Sequence, residues 1–366
     1  MKIMFVVGSL SGGGAERVVA ELSSKLSEQG HDVYVALIAS MKTTYNISEK
    51  VTLLDCTRRY RVPGLGFAKR ALQIRKMIVK YRPDVVVSFT VAVNIYTVLS
   101  RIGTRTQLVL AERNDPRFDP AKKSARIARK LLYPFADSFV FQTEGEKEFF
   151  SKKIQKRSLV IYNPVNPDIP QPFAGERRLV FTSVARLEPQ KNIKMTIDAF
   201  KRGGNGRPEF SLEIYGDGSL KNELEDYIKE QNLSGRVLLK GASNTVYEDI
   251  KDCFGFLLSS NYEGMSNSLI EAMALGLPVI STDCPSGGAR EIIKDSVNGF
   301  LVPVGDTVSM AEKIKLLIND EKLQNAVSRE AIKIRQTLDI NKISNQWVLF
   351  LRQSEEKSES KKQPIK

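Results

Sequence analysis

Two glutamates in the stretch NYEGMSNSLIEAMALG, residues 261–276, are the first candidates for chemistry in this sequence. Glu263 stands beside a glycine, and Glu271 lies in an apolar helical pattern after seven intervening residues. Ser266 is a suitable N-cap, and Gly276 can end the helix that follows it. The start of that helix would present unpaired backbone N–H groups to an anion, with one carboxylate on either side.

The placement of these carboxylates favours hydrogen bonding to hydroxyl groups over proton transfer. Glu263 would accept bonds from hydroxyls of a bound group, and Glu271 from both hydroxyls of a ribose, while the helix start takes phosphate. This combination is what a nucleotide sugar requires. The alternative is an ordinary helix with a charged face, but Glu271 lies in the run LIEAMALGLPVI, where a buried carboxylate needs a partner.

Two cations follow a predicted strand in the segment VARLEPQKN, residues 184–192. Arg186 and Lys191 stand five residues apart across a turn that contains proline. A guanidinium can bind a diphosphate through two hydrogen bonds and an ammonium acts as a point charge, so the pair suits a diphosphate. Taken alone, the pattern is equally compatible with solvated surface charges.

The loop GSLSGGGAER, residues 8–17, lies between a predicted strand and a predicted helix. Its consecutive glycines allow backbone N–H groups to approach a phosphate or a sugar closely. It lacks the Gly-Lys-Ser/Thr of a P-loop, and Arg17 stands where a dinucleotide-binding loop has its third glycine. The alternative is a tight turn without a ligand.

Four polar residues follow the predicted strand TQLVLA, namely Glu112, Arg113, Asn114 and Asp115. Because ligands bind beyond the carboxyl ends of parallel strands, this cluster is the candidate reacting centre in the first half of the chain. A solvated loop is the alternative. The single histidine, His31, lies between a helix-ending glycine and a strand, where we expect a structural role and not base catalysis.

Strands and helices alternate along the chain in two successive series, and the proline-rich segment 163–175 separates them. The predicted fold class is therefore α/β, with two Rossmann-like domains of mostly parallel sheet that face each other across a cleft. The predicted domains are residues 1–165 and 166–350. A polar tail, residues 351–366, is expected to be disordered.

The amino-acid composition limits the classes of protein to which this chain can belong. The 366 residues are 42% hydrophobic and 27% charged, with no apolar run long enough to span a bilayer. Three distant cysteines and one histidine offer no metal-binding pattern. Residues 1–175 hold 28 Lys and Arg against 15 Asp and Glu, and the rest holds 27 of each, so the whole net charge of +13 lies in the first half.

Two segments concentrate this charge. Residues 57–82 carry nine basic residues and residues 121–130 carry five, and neither segment contains an acid. The first half should therefore face an anionic partner, such as lipid headgroups, a diphosphate-bearing acceptor or nucleic acid. Nucleic acid is disfavoured, because the basic runs are not interleaved with aromatic residues in a known binding motif.

These motifs together resemble the retaining glycosyltransferases of family four, which have the two-domain GT-B fold. That fold implies a deep cleft between the domains and a C-terminal helix that crosses back toward the first domain. The resemblance covers nearly the whole chain: the glycine loop, Arg186 with Lys191, the turn YGDG, the E-x₇-E pair followed by A-x-G-x-P-V-I, and NGFLV. The segments GSLSGGGAERV, AERNDP and IYNPV are similar to the subgroup that builds bacterial surface glycans on lipid carriers.

The resemblance implies roles for the site residues. Arg186 and Lys191 would bind the donor diphosphate and stabilise the leaving group, and Glu263 would contact sugar hydroxyls. The other donor contacts would be loop glycines of the first domain, the backbone at the helix start and the ribose-binding carboxylate: Gly13, Gly14, Met265, Ser266, Asn267, Ser268 and Glu271. No metal and no cofactor are expected, because the two cations and the helix end would stabilise the leaving group.

One position departs from the family pattern. Many members have a histidine where this sequence has Arg113, so Arg113 is expected to contact the sugar, helped by Glu112 or Asn114. The leaving phosphate would then accept the proton of the incoming hydroxyl. The segment GMSN also differs from the commoner G-F/L-G-L form, which bears on the phosphate contacts.

The function expected from the resemblance is transfer of a hexosyl or N-acetylhexosaminyl group from a UDP-sugar to a lipid-linked saccharide, with retention of configuration. The expected partners are the UDP-sugar, a lipid-diphosphate-linked acceptor and an anionic membrane surface, with the helix around residues 65–82 at the interface. The protein would act in the cytoplasm at the inner face of the cell membrane, without nucleic acid. The alternatives are a nucleotide-sugar epimerase of the same fold and a basic nucleic-acid-binding protein.

Overall fold

A computed structural model describes residues 1–57 and 66–360 of the chain. The chain forms two compact units: unit 1 comprises Met1–Pro164 with Ile340–Lys366, and unit 2 comprises Val165–Asp339. Each unit contains one parallel sheet with helices on its faces. The predicted α/β class and the two Rossmann-like domains are therefore confirmed.

Unit 1 is built on a seven-stranded parallel sheet with the strand order β3-β2-β1-β4-β5-β6-β7. Its strands are β1 Lys2–Val7, β2 Asp32–Leu37, β3 Thr52–Asp55, β4 Val85–Phe89, β5 Gln107–Ala111, β6 Ser138–Phe141 and β7 Ser158–Val160. Its helices are α1 Gly14–Glu28, α2 Gly66–Tyr81, α3 Val91–Arg101, α4 Lys123–Leu132, α5 Glu144–Phe149, α6 Lys152–Gln155 and the last helix of the chain, α14 Ile340–Ser360. A 3₁₀ turn, Tyr133–Phe135, follows α4.

Unit 2 is built on a six-stranded parallel sheet with the strand order β10-β9-β8-β11-β12-β13. Its strands are β8 Arg178–Val184, β9 Ser211–Tyr215, β10 Val237–Gly241, β11 Cys253–Leu258, β12 Val279–Thr282 and β13 Phe300–Val302. Its helices are α7 Ile193–Gly203, α8 Lys221–Glu230, α9 Val246–Ile250, α10 Asn267–Ala274, α11 Thr307–Asn319, α12 Glu321–Ala331 and α13 Ile334–Thr337.

The central strands of both sheets are apolar runs of the sequence, rich in the β-branched residues that pack well when a strand is covered on both faces. In unit 1, β4 and β5 are buried along their whole length. The edge strands β3 and β7 were not predicted. Both are short and only partly buried, so their sequences lack the continuous apolar run of a central strand.

The domain boundaries differ from the predicted ones at the end of the chain. The first division, after residue 164, falls in the proline-rich segment. The second falls before residue 340, so α14 packs with unit 1, as the expected C-terminal helix should. The predicted boundary at residue 350 is therefore too late, and residues 340–350 do not continue the second domain. The helix extends to Ser360, so most of the predicted tail, 351–366, is helical in the part that the structure describes.

The anchor of α14 on unit 1 is Trp347. Its ring is 1% exposed and stacks on Phe89 of β4 with the ring centroids 5.9 Å apart. Gln29, which follows α1, adds hydrogen bonds from its amide to Ser344 and Asn345, each at 3.1 Å. An aromatic contact of this size is a large part of what fixes a helix on a sheet.

The basic run 57–82 is described only in part. Residues 58–65, with three of its nine basic residues, lie outside the described residues, and residues 66–81 form α2. Within the described chain, no helix combines the length and the apolar character that crossing a bilayer requires.

Two glycines of the YGDG turn let the loops after β8 and β9 touch. A Cβ atom at Gly216 would lie 2.0 Å from the carbonyl oxygen of Ala185, and one at Gly218 would lie 2.4 Å from that of Leu187. Gly216 also has a φ of +133°, which L side chains rarely adopt. The turn therefore supports the backbone of the loop that carries Arg186.

This close approach predicts a specific loss of stability. Gly216→Ala should destabilise unit 2 by about 2–5 kcal/mol, because it combines an unfavourable φ with a backbone clash. Gly206→Ala is the matched control: its φ is +79° but no atom lies within 4 Å of the added Cβ, so about 1–2 kcal/mol is expected. Hydrogen exchange of amides in β8 and β9 measures both, and equal losses would contradict the prediction.

Candidate functional site

The predicted site residues lie in two groups, one in each unit. In each group they follow the carboxyl ends of parallel strands, where ligands of such sheets bind. The group of unit 2 follows β8 and β11, which are neighbours in the sheet. The group of unit 1 follows β1 and β5, which are separated by β4 alone.

In unit 2, hydrogen bonds join the loop after β8 to the loop after β11. The Asn261 amide N–H donates to the Gln190 carbonyl at 2.8 Å, and its side-chain amide donates to the Pro189 carbonyl at 3.0 Å. The Ser259 hydroxyl lies 2.9 Å from the carbonyl oxygens of both Lys191 and Asn192. Residues 72 positions apart in sequence are thereby held at one edge of the sheet.

The central contact of this edge is an ion pair between Lys191 and Glu263. The Lys191 ammonium donates to Glu263 Oε1, and the two side chains are only 12% and 14% exposed. The Ser260 hydroxyl donates to the same oxygen at 2.8 Å, and the Gln190 amide reaches Oε2 at 3.5 Å. The carboxylate predicted to bind sugar hydroxyls is thus also the partner of the cation predicted to bind phosphate.

Arg186 lies beside this pair but is not part of it. Its side chain is exposed, and Nη2 donates to Gln190 Oε1 at 3.3 Å, the same residue whose amide nitrogen donates to the Tyr262 carbonyl at 2.8 Å. Gln190 therefore links Arg186 to the loop that carries Glu263. Arg186 supplies positive charge that Glu263 does not neutralise.

The backbone around Glu263 is fixed by the loop after β12. The Ser286 hydroxyl donates to the Glu263 carbonyl, and a Cβ atom at Gly288 would lie 1.8 Å from the carbonyl oxygen of Gly264. Only glycine fits at that distance. Burial, together with the charge of Glu263, raises the pKa of the Cys284 thiol to about 12, so Cys284 is a neutral core residue here.

Helix α10 follows immediately and carries the remaining residues predicted for unit 2. Ser266 is its N-cap residue, as predicted, but its hydroxyl contacts the Ser268 hydroxyl at 3.2 Å, and among the described residues it caps no backbone N–H. Met265 is buried, and Glu271 is 9% exposed on the second turn of the helix. The structure thus brings Lys191, Glu263 and the start of α10 together.

In unit 1, a carboxylate occupies the glycine loop after β1. Glu16 Oε2 accepts hydrogen bonds from the backbone N–H groups of Ser11 at 2.9 Å and Gly13 at 3.1 Å, and Oε1 accepts one from the Ser9 hydroxyl at 2.7 Å. Gly13 is the N-cap of α1, which begins at Gly14. Two amides of the predicted anion-binding loop are therefore already bonded to a side chain of the same chain.

Arg113 lies against two stacked aromatic rings just after the end of β5. Its guanidinium carbon is 4.3 Å from the centroid of the Phe89 ring and 5.7 Å from that of Trp347, and Nη1 donates to Asn163 Oδ1 at 3.0 Å. Burial lowers the pKa of Arg113 to about 9. Its Nε and Nη2 atoms are buried and have no hydrogen-bond partner within the described structure. These donors are able to bind a ligand oxygen.

Glu112 is 1% exposed and belongs to a buried polar network. The Tyr133 hydroxyl donates to its carboxylate, and the Asn94 amide donates to the Tyr133 oxygen at 3.0 Å and to the Ala111 carbonyl at 3.2 Å. Ser88 completes the network through a hydroxyl bond to Asn94 at 2.6 Å. This network holds the Glu112 carboxylate inside the unit.

The next two residues shape the loop. The Asn114 side chain accepts a hydrogen bond from the Asp115 N–H at 3.0 Å. Asp115 is fully buried, and its Oδ1 accepts a bond from the Arg117 N–H at 2.9 Å. Both side chains thus bond to their own loop, which holds the backbone on either side of Arg113.

The sequence analysis missed the residues that support the predicted ones. Glu16 stands in the motif GGGAER, but its spacing from Gly13 is that of a capping box, which signals only a helix start. Asn163 lies in the segment IYNPV, and nothing in the sequence links it to Arg113, 50 residues away. The described residues contain no group of three His, Cys, Asp or Glu side chains arranged as metal ligands.

Burial raises the pKa of Glu112 from 4.5 to about 7, and this predicts a pH dependence of stability. Between pH 4.5 and 7 the folded protein retains a proton that the unfolded chain has lost, so the free energy of unfolding falls as pH rises through this window. The fall attributable to Glu112 should be on the order of 3 kcal/mol and absent in Glu112→Gln.

Hydrogen exchange of the β5 amides across this pH range measures the effect. Glu148→Gln removes an exposed glutamate of the same unit and serves as the control. An identical pH slope for Glu112→Gln and wild type would contradict the assignment.

Known protein families match both halves of the chain. Residues 166–334 match the family described as Glycosyl transferases group 1, and residues 12–169 match Glycosyltransferase Family 4. The chain is 32% identical, over 96% of its own length and 99% of the relative's, to the N-acetylgalactosamine-N,N'-diacetylbacillosaminyl-diphospho-undecaprenol 4-alpha-N-acetylgalactosaminyltransferase of Campylobacter jejuni. It is 26% identical to the lipopolysaccharide 1,6-galactosyltransferase of Escherichia coli, over 88% of this chain and 90% of that one.

Solved structures share the fold. TarM of Staphylococcus aureus, in a complex with UDP, matches with a TM-score of 0.79 at 14% identity, covering 96% of this chain and 100% of that one. HepE of Anabaena, also in complex with UDP, matches with a TM-score of 0.78 at 20% identity, with the same coverage. The GT-B fold expected from the resemblance is confirmed. With 32% identity to a characterised transferase over almost its entire length, the chain belongs to the group 1 glycosyltransferases and carries a family 4 domain as its amino-terminal half.

Proposed function

We propose that this glycosyltransferase transfers a hexosyl or N-acetylhexosaminyl group from a UDP-sugar to a lipid-linked saccharide, with retention of configuration. The observation that carries the proposal is the cluster at the strand ends of unit 2. There Lys191 pairs with Glu263 and Arg186 bonds Gln190 of the same loop, while α10, which carries the buried Glu271, begins four residues after Glu263. A diphosphate, sugar hydroxyls and a ribose each find a matching group in this cluster.

The names of the relatives support the acceptor and the outcome. The Campylobacter enzyme is named for an undecaprenol diphosphate carrying a saccharide, and a second Campylobacter relative, 28% identical, is also named for a diphosphate-undecaprenol saccharide. Both names specify transfer with an alpha linkage. Because UDP-N-acetylgalactosamine carries its sugar in alpha linkage, an alpha product corresponds to retention.

In the proposed reaction the bond between the sugar C1 and the diphosphate oxygen breaks, and a bond between C1 and the acceptor oxygen forms. The proton of the acceptor hydroxyl passes to the departing diphosphate, so no histidine base is required. Arg186, Lys191 and the amides at the start of α10 stabilise the charge that develops on the leaving group, in place of a metal ion. The unpartnered donors of Arg113 bind an oxygen of the transferred sugar.

The setting of the reaction follows from the acceptor. A lipid diphosphate remains in the bilayer, so the enzyme has to work at a membrane surface, and the basic unit 1 suits an anionic leaflet. UDP-sugars are cytoplasmic metabolites, which places the reaction at the inner face of the membrane. Nucleic acid has no part in the proposed reaction.

The donor site predicts a loss of UDP affinity in Lys191→Ala. Removal of one charged hydrogen bond to the diphosphate should weaken binding by about 10- to 100-fold in calorimetry. Lys194→Ala is the matched control, because Lys194 forms an ion pair of its own with Glu223 at 2.7 Å in which both side chains are exposed. Normal UDP affinity in both Lys191→Ala and Glu271→Ala would refute the assignment of the donor site.

The transfer itself is tested with a panel of UDP-sugars and an undecaprenyl-diphosphate-linked saccharide. UDP should be released with one or more donors only when the acceptor is present, and the anomeric coupling in the NMR spectrum of the product should show an alpha linkage. Conversion of a UDP-sugar into its epimer without an acceptor would instead establish the epimerase alternative.

Arg113→Met and Arg117→Met form a matched pair for this assay. The first removes donors that are buried at the strand end, and the second removes an exposed cation four residues further along the loop. Loss of one transition-state donor lowers kcat by about 100-fold or more. Arg113→Met should show this loss with UDP affinity unchanged, while Arg117→Met keeps its kcat.

A further inference from the structure

Glu146, on helix α5 of unit 1, is a buried carboxylate that the proposed reaction does not use. It is 0% exposed, and its Oε1 atom has no hydrogen-bond partner among the described residues. A carboxylate in such a position is costly unless a nearby positive charge compensates it. The groups that surround Glu146 therefore decide its role.

Helix capping accounts for only one oxygen of Glu146. The Thr143 hydroxyl, at the N-cap of α5, accepts a hydrogen bond from the Glu146 N–H at 3.0 Å, and Glu146 Oε2 accepts one from the Gln142 N–H at 2.7 Å. A glutamine in place of Glu146 would make the same two bonds. The cap thus requires neither the negative charge nor Oε1.

Hydrogen bonds connect the turn before α5 with Arg113. Gln142, which follows β6, donates from its side-chain amide to Asn163 Oδ1 at 2.7 Å. Arg113, which follows β5, donates from Nη1 to the same oxygen at 3.0 Å. Because β5, β6 and β7 are neighbours in the sheet, these residues extend from adjacent strand ends. The bond from Gln142 to Glu146 thus fixes a residue that shares its acceptor with Arg113.

Arg113 and Glu146 also act on each other through their charges. Burial lowers the pKa of Arg113, and the charge of Glu146, followed by that of Glu112, opposes this shift. Burial and the charges of Glu112 and Asp115 raise the pKa of Glu146, while the Gln142 N–H and the charge of Arg113 lower it. Each group thus favours the charged form of the other, and in an interior of low dielectric constant this attraction does not require direct contact.

The other two carboxylates of this cluster already have partners. Glu112 accepts a hydrogen bond from the Tyr133 hydroxyl. Asp115 pairs with Arg117 at 3.3 Å. Within the described part of the chain, the Glu146 carboxylate receives only the backbone bond to Oε2. It is therefore the carboxylate left to balance the buried guanidinium.

We propose that Glu146 is a positioning residue of the transfer reaction and acts through Arg113, as the buried counter-charge of its guanidinium. Asn163 holds Nη1, and the attraction to Glu146 keeps the guanidinium at the strand end, 4.3 Å from the centre of the Phe89 ring. The donors Nε and Nη2 then remain available to the sugar. The inference rests on the proposed function, which gives Arg113 its substrate, while Glu146 itself contacts no substrate atom.

Glu146→Gln tests the charge because it preserves the helix cap. In the transfer assay its kcat should fall by about 10-fold or more with UDP affinity unchanged, since a misplaced donor is felt in the transition state. The double variant Arg113→Met/Glu146→Gln should be no slower than Arg113→Met alone, because Glu146 acts only through Arg113.

Two controls separate the charge of Glu146 from the fold of the same turn. Glu148→Gln removes an exposed glutamate of α5 and should keep the wild-type kcat. Thr143→Ala removes the hydroxyl that caps the helix, so it should lower the midpoint of unfolding in urea and also keep the wild-type kcat.

Trp347 provides a measurement that does not depend on the reaction. It is the single tryptophan of the sequence, and the centre of its ring lies 5.7 Å from the guanidinium carbon of Arg113. A cation beside an indole ring interacts with its π-electrons and alters its emission, so the fluorescence of the protein reports the position of Arg113. The emission of Glu146→Gln should shift from that of the wild type toward that of Arg113→Met, whereas Thr143→Ala should keep the wild-type emission.

Four results would overturn the inference. Two of them concern Glu146→Gln alone: a wild-type kcat or a wild-type emission. The third is a further loss of kcat in the double variant relative to Arg113→Met, and the fourth is an equal loss of kcat in Thr143→Ala, either of which would reduce Glu146 to a stabilising role. If the emission shifts as expected but the wild type transfers no sugar, Glu146 still positions Arg113 and the proposed reaction fails.

Discussion

The ion pair between Lys191 and Glu263 is the interaction on which the proposed donor site of unit 2 depends. Both side chains are largely withdrawn from water, and each is the counter-charge of the other. Removing one of two buried partners leaves an uncompensated charge, which is far more costly than never having had the pair. The loops after β8 and β11 are therefore held together by the same groups that are proposed to bind the substrate.

This pairing constrains how a donor binds. A diphosphate that bound Lys191 as proposed would compete with the carboxylate of Glu263. Arg186 is exposed and, among the described residues, makes no ion pair, although the charge of Glu188 also acts on it. Arg186 is thus suited to the first contact with an incoming diphosphate. On the proposed function, a Glu263 released from Lys191 would be free to accept hydrogen bonds from the sugar and would keep its bond from Ser260.

A carboxylate also holds a loop in place in unit 1, where Glu16 accepts hydrogen bonds from backbone amides of the glycine loop. Here, however, several buried charges are less well compensated. Burial raises the pKa of Glu112 to about 7 and lowers that of Arg113 to about 9, and the pKa of Glu146 is also raised by burial. Ionisable groups with strongly shifted pKa values are found at functional sites more often than elsewhere.

Sequence reasoning reached the architecture and the two sets of strand ends because these depend on local signals: apolar runs, glycine turns and helix starts. It placed Lys191 and Glu263 at one site but could not foresee their bond, which joins loops 72 residues apart. The aromatic environment of Arg113 could not be predicted either, because Phe89 and Trp347 come from distant parts of the chain. The edge strands β3 and β7 were not predicted, because partly exposed strands lack a continuous apolar pattern in the sequence.

The assignment of α14 to unit 1 has a consequence for the order in which the protein folds during synthesis. Unit 2 is one continuous segment, whereas unit 1 is completed only by the last helix, so the chain crosses between the units twice, at points joined by the hydrogen bond from Val165 N–H to the Leu338 carbonyl at 2.8 Å. A ribosome releases all of unit 2 before Trp347 can cover Phe89. Until then Phe89 and the part of unit 1 that α14 covers remain exposed, and exposed apolar surface of this kind favours chaperone binding and aggregation.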